Sequence, residues 1–215
     1  MQISNCALRY AVMRVGLTLG LAVAAGFSAW PAAAQQGARS IETVPGMPPV
    51  PDRNNLYSET RPDKLSPAVA NALPRVYVPN LKSNDVYVID PATLKVVDRF
   101  RVGINPQHIV PSYDLKTLWV TNNAEGRTDG SLTPIDPATG KPGKSIAVDD
   151  PYNMYFSPDG RSAIVVAEAF KRLDFRDPQT MAVQSSLAAP ECGGINHADF
   201  SIDGLQPGRT LMGPA

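Results

Sequence analysis

Val86-Tyr87-Val88-Ile89-Asp90-Pro91-Ala92-Thr93 is a run of β-forming residues that ends on an aspartate and turns at Pro-Ala-Thr. Proline presets φ, and the aspartate accepts from the turn amides, so the run reads as a strand closed by a type I turn. The same punctuation returns as Asp136-Pro137-Ala138-Thr139 and as Asp177-Pro178-Gln179-Thr180, at spacings of 46 and 41 residues. Two further landmarks keep this register. Tyr77-Val78-Pro79-Asn80 is followed by Trp119-Val120-Thr121-Asn122 and by Val165-Val166-Ala167-Glu168. A strand and tight turn run through His108 to Lys116, recur through Asn153 to Arg161, and return through His197 to Gly204. Fixed periods in the forties with about four strands per unit belong to the blades of a β-propeller.

In each unit the innermost strand is expected before the Ser-Pro-Asp-Gly type of turn. The second strand is the Tyr-Val-Thr-Asn run, the third ends in Ile-Asp, and the fourth follows Ala-Thr. Asp159-Gly160 suits a tight hairpin, and the repeated aspartates are expected to form turns and not to act as acids. Consecutive apolar positions such as Trp119 and Val120, or Ile164 to Val166, imply sheets covered on both faces. The fold class is therefore all-β, with about three four-stranded blades present and the ring incomplete, since propellers close with about four to eight.

These residues resemble the YVTN-repeat β-propellers of bacterial and archaeal exported proteins. The likeness rests on Tyr77-Val78-Pro79-Asn80, Trp119-Val120-Thr121-Asn122, the Val86 to Thr93 unit and Ser157-Pro158-Asp159-Gly160-Arg161, and it covers residues 75–204. It implies repeat architecture and leaves activity open. Members of this broad superfamily resemble both plain binding propellers and the propeller domains of haem d1 nitrite reductases and of nitrous-oxide reductase.

Residues 1–34 have the order of a secretory signal. Arg9 and Arg14 precede an apolar run, Val15 to Phe27, that is short for a membrane span, and Trp30-Pro31-Ala32-Ala33-Ala34 ends in small residues. Cleavage after Ala34 is expected, with an uncleaved N-terminal anchor as the alternative. The expected location is periplasmic or secreted. Seven prolines, from Pro45 to Pro74, punctuate residues 35–74, which read as an extended linker with at most a short helix starting at Ser66 and Pro67. Residues 205–215 break the repeat and read as a truncated or frame-altered tail, with self-association through open blade edges as a second route to closure.

Lys plus Arg and Asp plus Glu both number 20, and removing Arg9 and Arg14 leaves 18 against 20. A balance this close to neutral argues against nucleic acid and against an anionic membrane surface as partners. Cys6 is expected to leave with the signal, so Cys192 reads as a thiol with no intrachain partner, or as a small buried hydrophobe.

Only two histidines occur, His108 and His197, each at the start of an innermost strand, with Asn153 at the matching place between them. Side chains there border the central channel at one rim. Asn153, Asn196, Asp199 and Glu168 join the two histidines as the candidate ligand-binding rim, and His108 and His197 are the candidate metal ligands. No Gly-x-Ser-x-Gly, phosphate loop, His-Glu-x-x-His or Cys-x-x-Cys-His is present, so no catalytic residue and no cofactor is specified. The first expectation is a module binding a protein or small-molecule ligand. A haem- or metal-bearing reductase propeller is the alternative, as is a metal-assisted lyase with His197 and Asp199 paired on one strand face.

Overall fold

A computed structural model describes residues 41–204 apart from Gly193 and Asn196; the expected signal, residues 35–40 and the 205–215 tail lie outside the described residues. Twelve strands form three antiparallel sheets among the described residues. The first sheet is β1 (Val76–Asn80), β2 (Asp85–Asp90) and β3 (Lys95–Arg101), in that order. The second is β4 (Pro106–Pro111), β5 (Leu118–Asn122) and β6 (Ser131–Asp136), whose outer neighbour is split into β7 (Lys141–Pro142) and β8 (Ile146–Ala147). The third is β9 (Pro151–Phe156), β10 (Ala163–Ala167), β11 (Arg172–Arg176) and β12 (Val183–Ala188). The second and third sheets are meanders running outward from the innermost strand, as a propeller blade requires, and the first holds the second, third and fourth strands of the same pattern.

The recurrent aspartates are turn formers. Asp90 Oδ1 accepts from Ala92 N at 2.8 Å, Asp136 Oδ1 from Ala138 N at 2.8 Å, and Asp177 Oδ1 from Thr180 N at 2.7 Å. The fifth residue of each turn closes it with a left-handed backbone: Leu94 at φ 56°, Gly140 at 71° and Met181 at 59°. Only the glycine adopts that conformation without steric cost. The hairpins joining the first and second strands of blades two and three share a serine–aspartate clasp, Ser112 Oγ to Asp114 and Ser157 Oγ to Asp159, both at 2.7 Å.

Register corrects one expectation. Leu118 pairs with Pro111 and with Ile135, the residue before Asp136; Ala163 pairs with Phe156 and with Arg176, the residue before Asp177. Ala163 is therefore the counterpart of Leu118, and Ile164 to Ala167, not Val165 to Glu168, match Trp119 to Asn122. In a run of five apolar residues the sequence carries no marker of where the strand begins, and the ladder fixes it.

Cores lie between sheets. Val86, Val120 and Ile135 are fully buried with Tyr77, Phe100 and Ile109 between blades one and two. Trp119, Leu132, Met154, Val165 and Met181 fill the gap between blades two and three. Val166, Leu173, Ala189, Cys192 and Ile195 form a third layer on the far side of blade three. Val86, Leu132 and Leu173 stand opposite Pro79, Thr121 and Val166, so one blade position supplies each layer. Cys192 is disulfide-bonded and 2% exposed, which corrects the expectation of an unpartnered thiol; that expectation rested on losing Cys6, which lies outside the described residues.

The outer face of blade one departs from two-sided burial. Val76 and Val78 are 47% and 36% exposed, whereas Val120, the counterpart of Val78, is 0% exposed. Residues 41–75 contain no strand, but they are not detached from the blades. Ile41 and Val50 are buried, Val44 N donates to Asp159 O, Leu56 N to Ile202 O, and Leu73 N to Pro137 O. A single turn of 3-10 helix, Pro67–Val69, starts where expected, with Ser66 Oγ accepting from Ala68 N. No helix among the described residues is long and apolar enough to cross a membrane.

Candidate functional site

The innermost strands begin at the rim where the second strands end, since Pro106 pairs with Asn122 and Pro151 with Ala167. Both ladders slip at this rim, between Pro106 and His108 in blade two and between Val166 and Ala167 in blade three. The slips leave Gln107 and Tyr152 as extra residues, and a bulge re-aims the side chain it carries. Both line a cleft of about 430 Å³ between blades two and three, with Asn123, Asp150, Glu168 and Lys171.

His108 sits beside this cleft. Its Nδ1 lies 2.8 Å from Tyr152 O, which also accepts from Thr121 Oγ1 at 2.9 Å. A carbonyl can only accept, so Nδ1 carries the proton, and in the neutral ring Nε2 is an open lone pair. Burial lowers the His108 pKa, helped by the neighbouring His197 and partly offset by the bond to Tyr152 O, which keeps the ring neutral near pH 7. The His197 ring stands 5.8 Å from the His108 ring at 83°, and Tyr152 packs edge-on to both at 5.1 and 6.3 Å.

Asp150 is 1% exposed, with a backbone φ of 43°. Its Oδ1 accepts from Gly126 N at 3.1 Å and its Oδ2 from Ala169 N at 2.7 Å, tying together the loops on the two sides of the cleft. Burial pushes its pKa up, against the pull of those amides. Glu168 is raised as well, by burial first and then by the charge of Asp150, with His197 acting the other way.

Of the expected rim residues, His108, His197 and Glu168 come to this region. Asn153 does not line the cleft: its Nδ2 donates to Tyr155 Oη at 2.9 Å, its Oδ1 accepts from Met154 N, and it is 5% exposed. Asp199 is held by the Tyr57 hydroxyl and by Phe200 N. Residues 197–199 are not in a strand, so the alternation that would pair His197 with Asp199 does not operate there. Asn196 lies outside the described residues. Asn80 and Asn122 brace their own loops, with Asn80 Nδ2 donating to Asp85 and Asn122 Nδ2 to Ser131 O and Thr133 Oγ1.

Sequence patterning missed Tyr152, Asp150 and Gln107. Bulges one residue into a strand leave no mark on apolar alternation, and Asp150 reads as one more aspartate before a proline. Among the described residues, no cluster of three or more His, Cys, Asp or Glu side chains is arranged to hold a metal ion.

No curated protein matches the chain. Among solved structures it is similar to hydrazine synthase of Kuenenia stuttgartiensis, with 24% identity and a TM-score of 0.51 over 62% of this chain and 38% of that one. It is also similar to a dihydro-heme d1 dehydrogenase, NirN, solved in complex with DHE, with 17% identity and a TM-score of 0.45 over 74% of this chain and 30% of that one. The chain spans less than two fifths of either, and at 24% identity the likeness to hydrazine synthase is one of fold alone. The model of the YNCE-like beta-propeller family matches residues 60–185, more than half of the chain, and in agreement with the blade topology the chain belongs to that family.

Proposed function

We propose that this is an exported propeller that binds a small molecule, or a loop of a partner protein, in the rim cleft between its second and third blades. The observation that carries it is the meeting of three rings, His108, Tyr152 and His197, from three successive blade positions beside a cleft floored by Asp150 and Glu168. Polar groups converging on a concave, partly aromatic surface are what a ligand site needs. The repeated aspartates are engaged in turns, and no nucleophile motif is present, which favours binding over chemistry. Neither nucleic acid nor an anionic membrane suits the charge balance.

The test is a thermal-shift screen of small ligands, with hits measured by calorimetry against Tyr152→Ala and His108→Ala. Affinity at least tenfold weaker in both, with unchanged far-ultraviolet dichroism, supports the cleft. Hits that bind both variants as tightly as the parent place the ligand elsewhere.

Ring spacing supports a second reading, in which His108 and His197 hold a transition metal or a haem iron. With a metal–nitrogen bond of about 2.0 Å, two imidazoles on one ion have centroids roughly 5–6.5 Å apart, and 5.8 Å falls inside that range. The open Nε2 of His108 fits the same role, and His197→Ala would abolish uptake of zinc measured by calorimetry.

A further inference from the structure

The cleft between blades two and three carries more hydrogen-bonding capacity than the chain itself uses. Asn123 is 5% exposed and lines the cleft; its Oδ1 accepts from Glu125 N at 3.2 Å, while its Nδ2 donates to no group among the described residues. A donor set this deep has only the cleft to turn to, and a buried donor left unmade is costly. Three other wall groups are open in the same way. The Glu168 carboxylate accepts no hydrogen bond among the described residues, and neither the Gln107 amide nor the Tyr152 hydroxyl has a partner there. The remaining charged groups already hold one: Asp150 accepts from Gly126 N and Ala169 N, Glu125 from Asn105 Nδ2 at 3.2 Å, and Lys171 donates to Pro190 O at 3.4 Å.

The occupant follows from matching donors to acceptors. Asn123 Nδ2 only donates, an ionised Glu168 only accepts, and Gln107 and Tyr152 do both. An ammonium, which only donates, would confront Asn123 Nδ2, and a phosphate, which only accepts, would confront Glu168. A hydroxyl does both at one atom, and adjacent hydroxyls on one ring supply the alternation that these walls require. The aromatic rings set the shape. His108, Tyr152 and His197 meet at 67°, 83° and 90°, so no two of them form the parallel slot that grips a flat heteroaromatic base on both faces. The negative face of such a ring attracts C–H groups instead. A saturated ring with hydroxyls on its rim and C–H groups on its faces offers both features. The cleft, about 430 Å³, is at the small end of ligand sites, which run from about 300 to 1,000 Å³.

We propose that the cleft binds a pyranose sugar, free or at the end of a glycan chain, with Asn123 Nδ2 donating to one hydroxyl, Glu168 accepting from a neighbouring one, and a C–H face of the sugar on Tyr152. This rests on the cleft reading above and names its ligand class.

The test is calorimetry on the full chain with the methyl glycosides of glucose, galactose and mannose, with maltose, lactose and mannobiose, and with choline, inorganic phosphate and adenosine as cationic, anionic and flat probes. At least one sugar is expected to bind. Asn123→Asp keeps the acceptor for Glu125 N and loses the donor; it and Glu168→Gln should each weaken that sugar at least fivefold with unchanged far-ultraviolet dichroism. Deoxyfluoro analogues give a readout that a merely structural role would not move. Fluorine accepts but does not donate, so the analogue altered at the hydroxyl facing Glu168 binds more weakly than its parent sugar to the unmodified chain and loses nothing further in Glu168→Gln. A disaccharide tighter than its glycoside marks a glycan end, equal affinity marks a free sugar, and both support the proposal. Absence of sugar binding at tens of millimolar overturns it, and leaves the cleft standing where choline, phosphate or adenosine binds and Tyr152→Ala weakens that binding. Sugar binding indifferent to Asn123→Asp, Glu168→Gln and Tyr152→Ala places the sugar elsewhere and overturns both readings.

Discussion

Replacing Leu132 by alanine tests whether blades two and three bury one common layer. Leu132 is 0% exposed on β6 and shares its cluster with Trp119, Met154, Ala163, Val165 and Met181. Three carbon groups leave the core, about 2.4 kcal/mol at ~0.8 kcal/mol each. The gap they vacate is walled by β-sheet on both sides, which limits collapse and adds a cavity term, for a total of about 3–4 kcal/mol. Urea unfolding followed by tryptophan fluorescence, with Trp119 in the same cluster, is the assay. The midpoint is expected to fall at unchanged slope, and the melting temperature to drop by about 10 °C. A loss below about 1 kcal/mol would show that Leu132 is not enclosed between two sheets, and the inter-blade core would have to be abandoned.

Three other outcomes follow from local chemistry. Asp174 is 1% exposed; burial alone would raise its pKa, but bonds from Arg172 and Ser186 and the charges of Arg172 and Arg176 hold it below the ordinary value. Asp174→Asn leaves Arg176 buried without its counter-charge and is expected to cost about 3 kcal/mol in urea unfolding. The parent's share of that stability is present above the ordinary carboxyl range and is lost as pH falls through the lowered value, so the gap between parent and variant narrows in acid. His108 has a folded-state pKa below its ordinary 6.5, so the unfolded chain takes up its proton first and stability falls as pH drops below 6.5. His108→Gln should flatten that slope, as read from melting temperatures across pH 5–8. Leu94 is 83% exposed at φ 56°, and Leu94→Gly is expected to raise stability by about 0.5 kcal/mol, the left-handed strain relieved less the entropy that glycine adds to the unfolded chain.

Blade order was legible in the sequence because turns are local. Asp-Pro-x-Thr and Ser-x-Asp fix their own geometry within five residues, and both motifs fold as expected. Long-range consequences were not legible. The proline-rich segment reads as a linker on composition, yet Val44 and Leu56 meet Asp159 and Ile202, contacts no local pattern encodes. The rim was half visible. Two lone histidines at matching strand positions could be placed, but which way Asn153 turns was decided by Tyr155 Oη, a partner two residues along that alternation puts on the same face. Tyr152 became a site residue only because the ladder slips.

His108, Asp150 and Glu168 shift in opposite directions on the pH scale but toward the same state, the uncharged one, and burial is the first cause for each. With Asp150 already engaged by two backbone amides and His108 by a backbone carbonyl, the cleft offers a ligand mainly directed hydrogen bonds and ring contacts, with long-range attraction secondary. Its affinity should therefore change less than about threefold between 50 and 300 mM salt, whereas a site working by exposed charges would weaken steeply over that range. A strong salt dependence in the calorimetric titrations, abolished by Lys171→Ala, would shift the recognition to the exposed ammonium at the edge of the cleft and away from the rings.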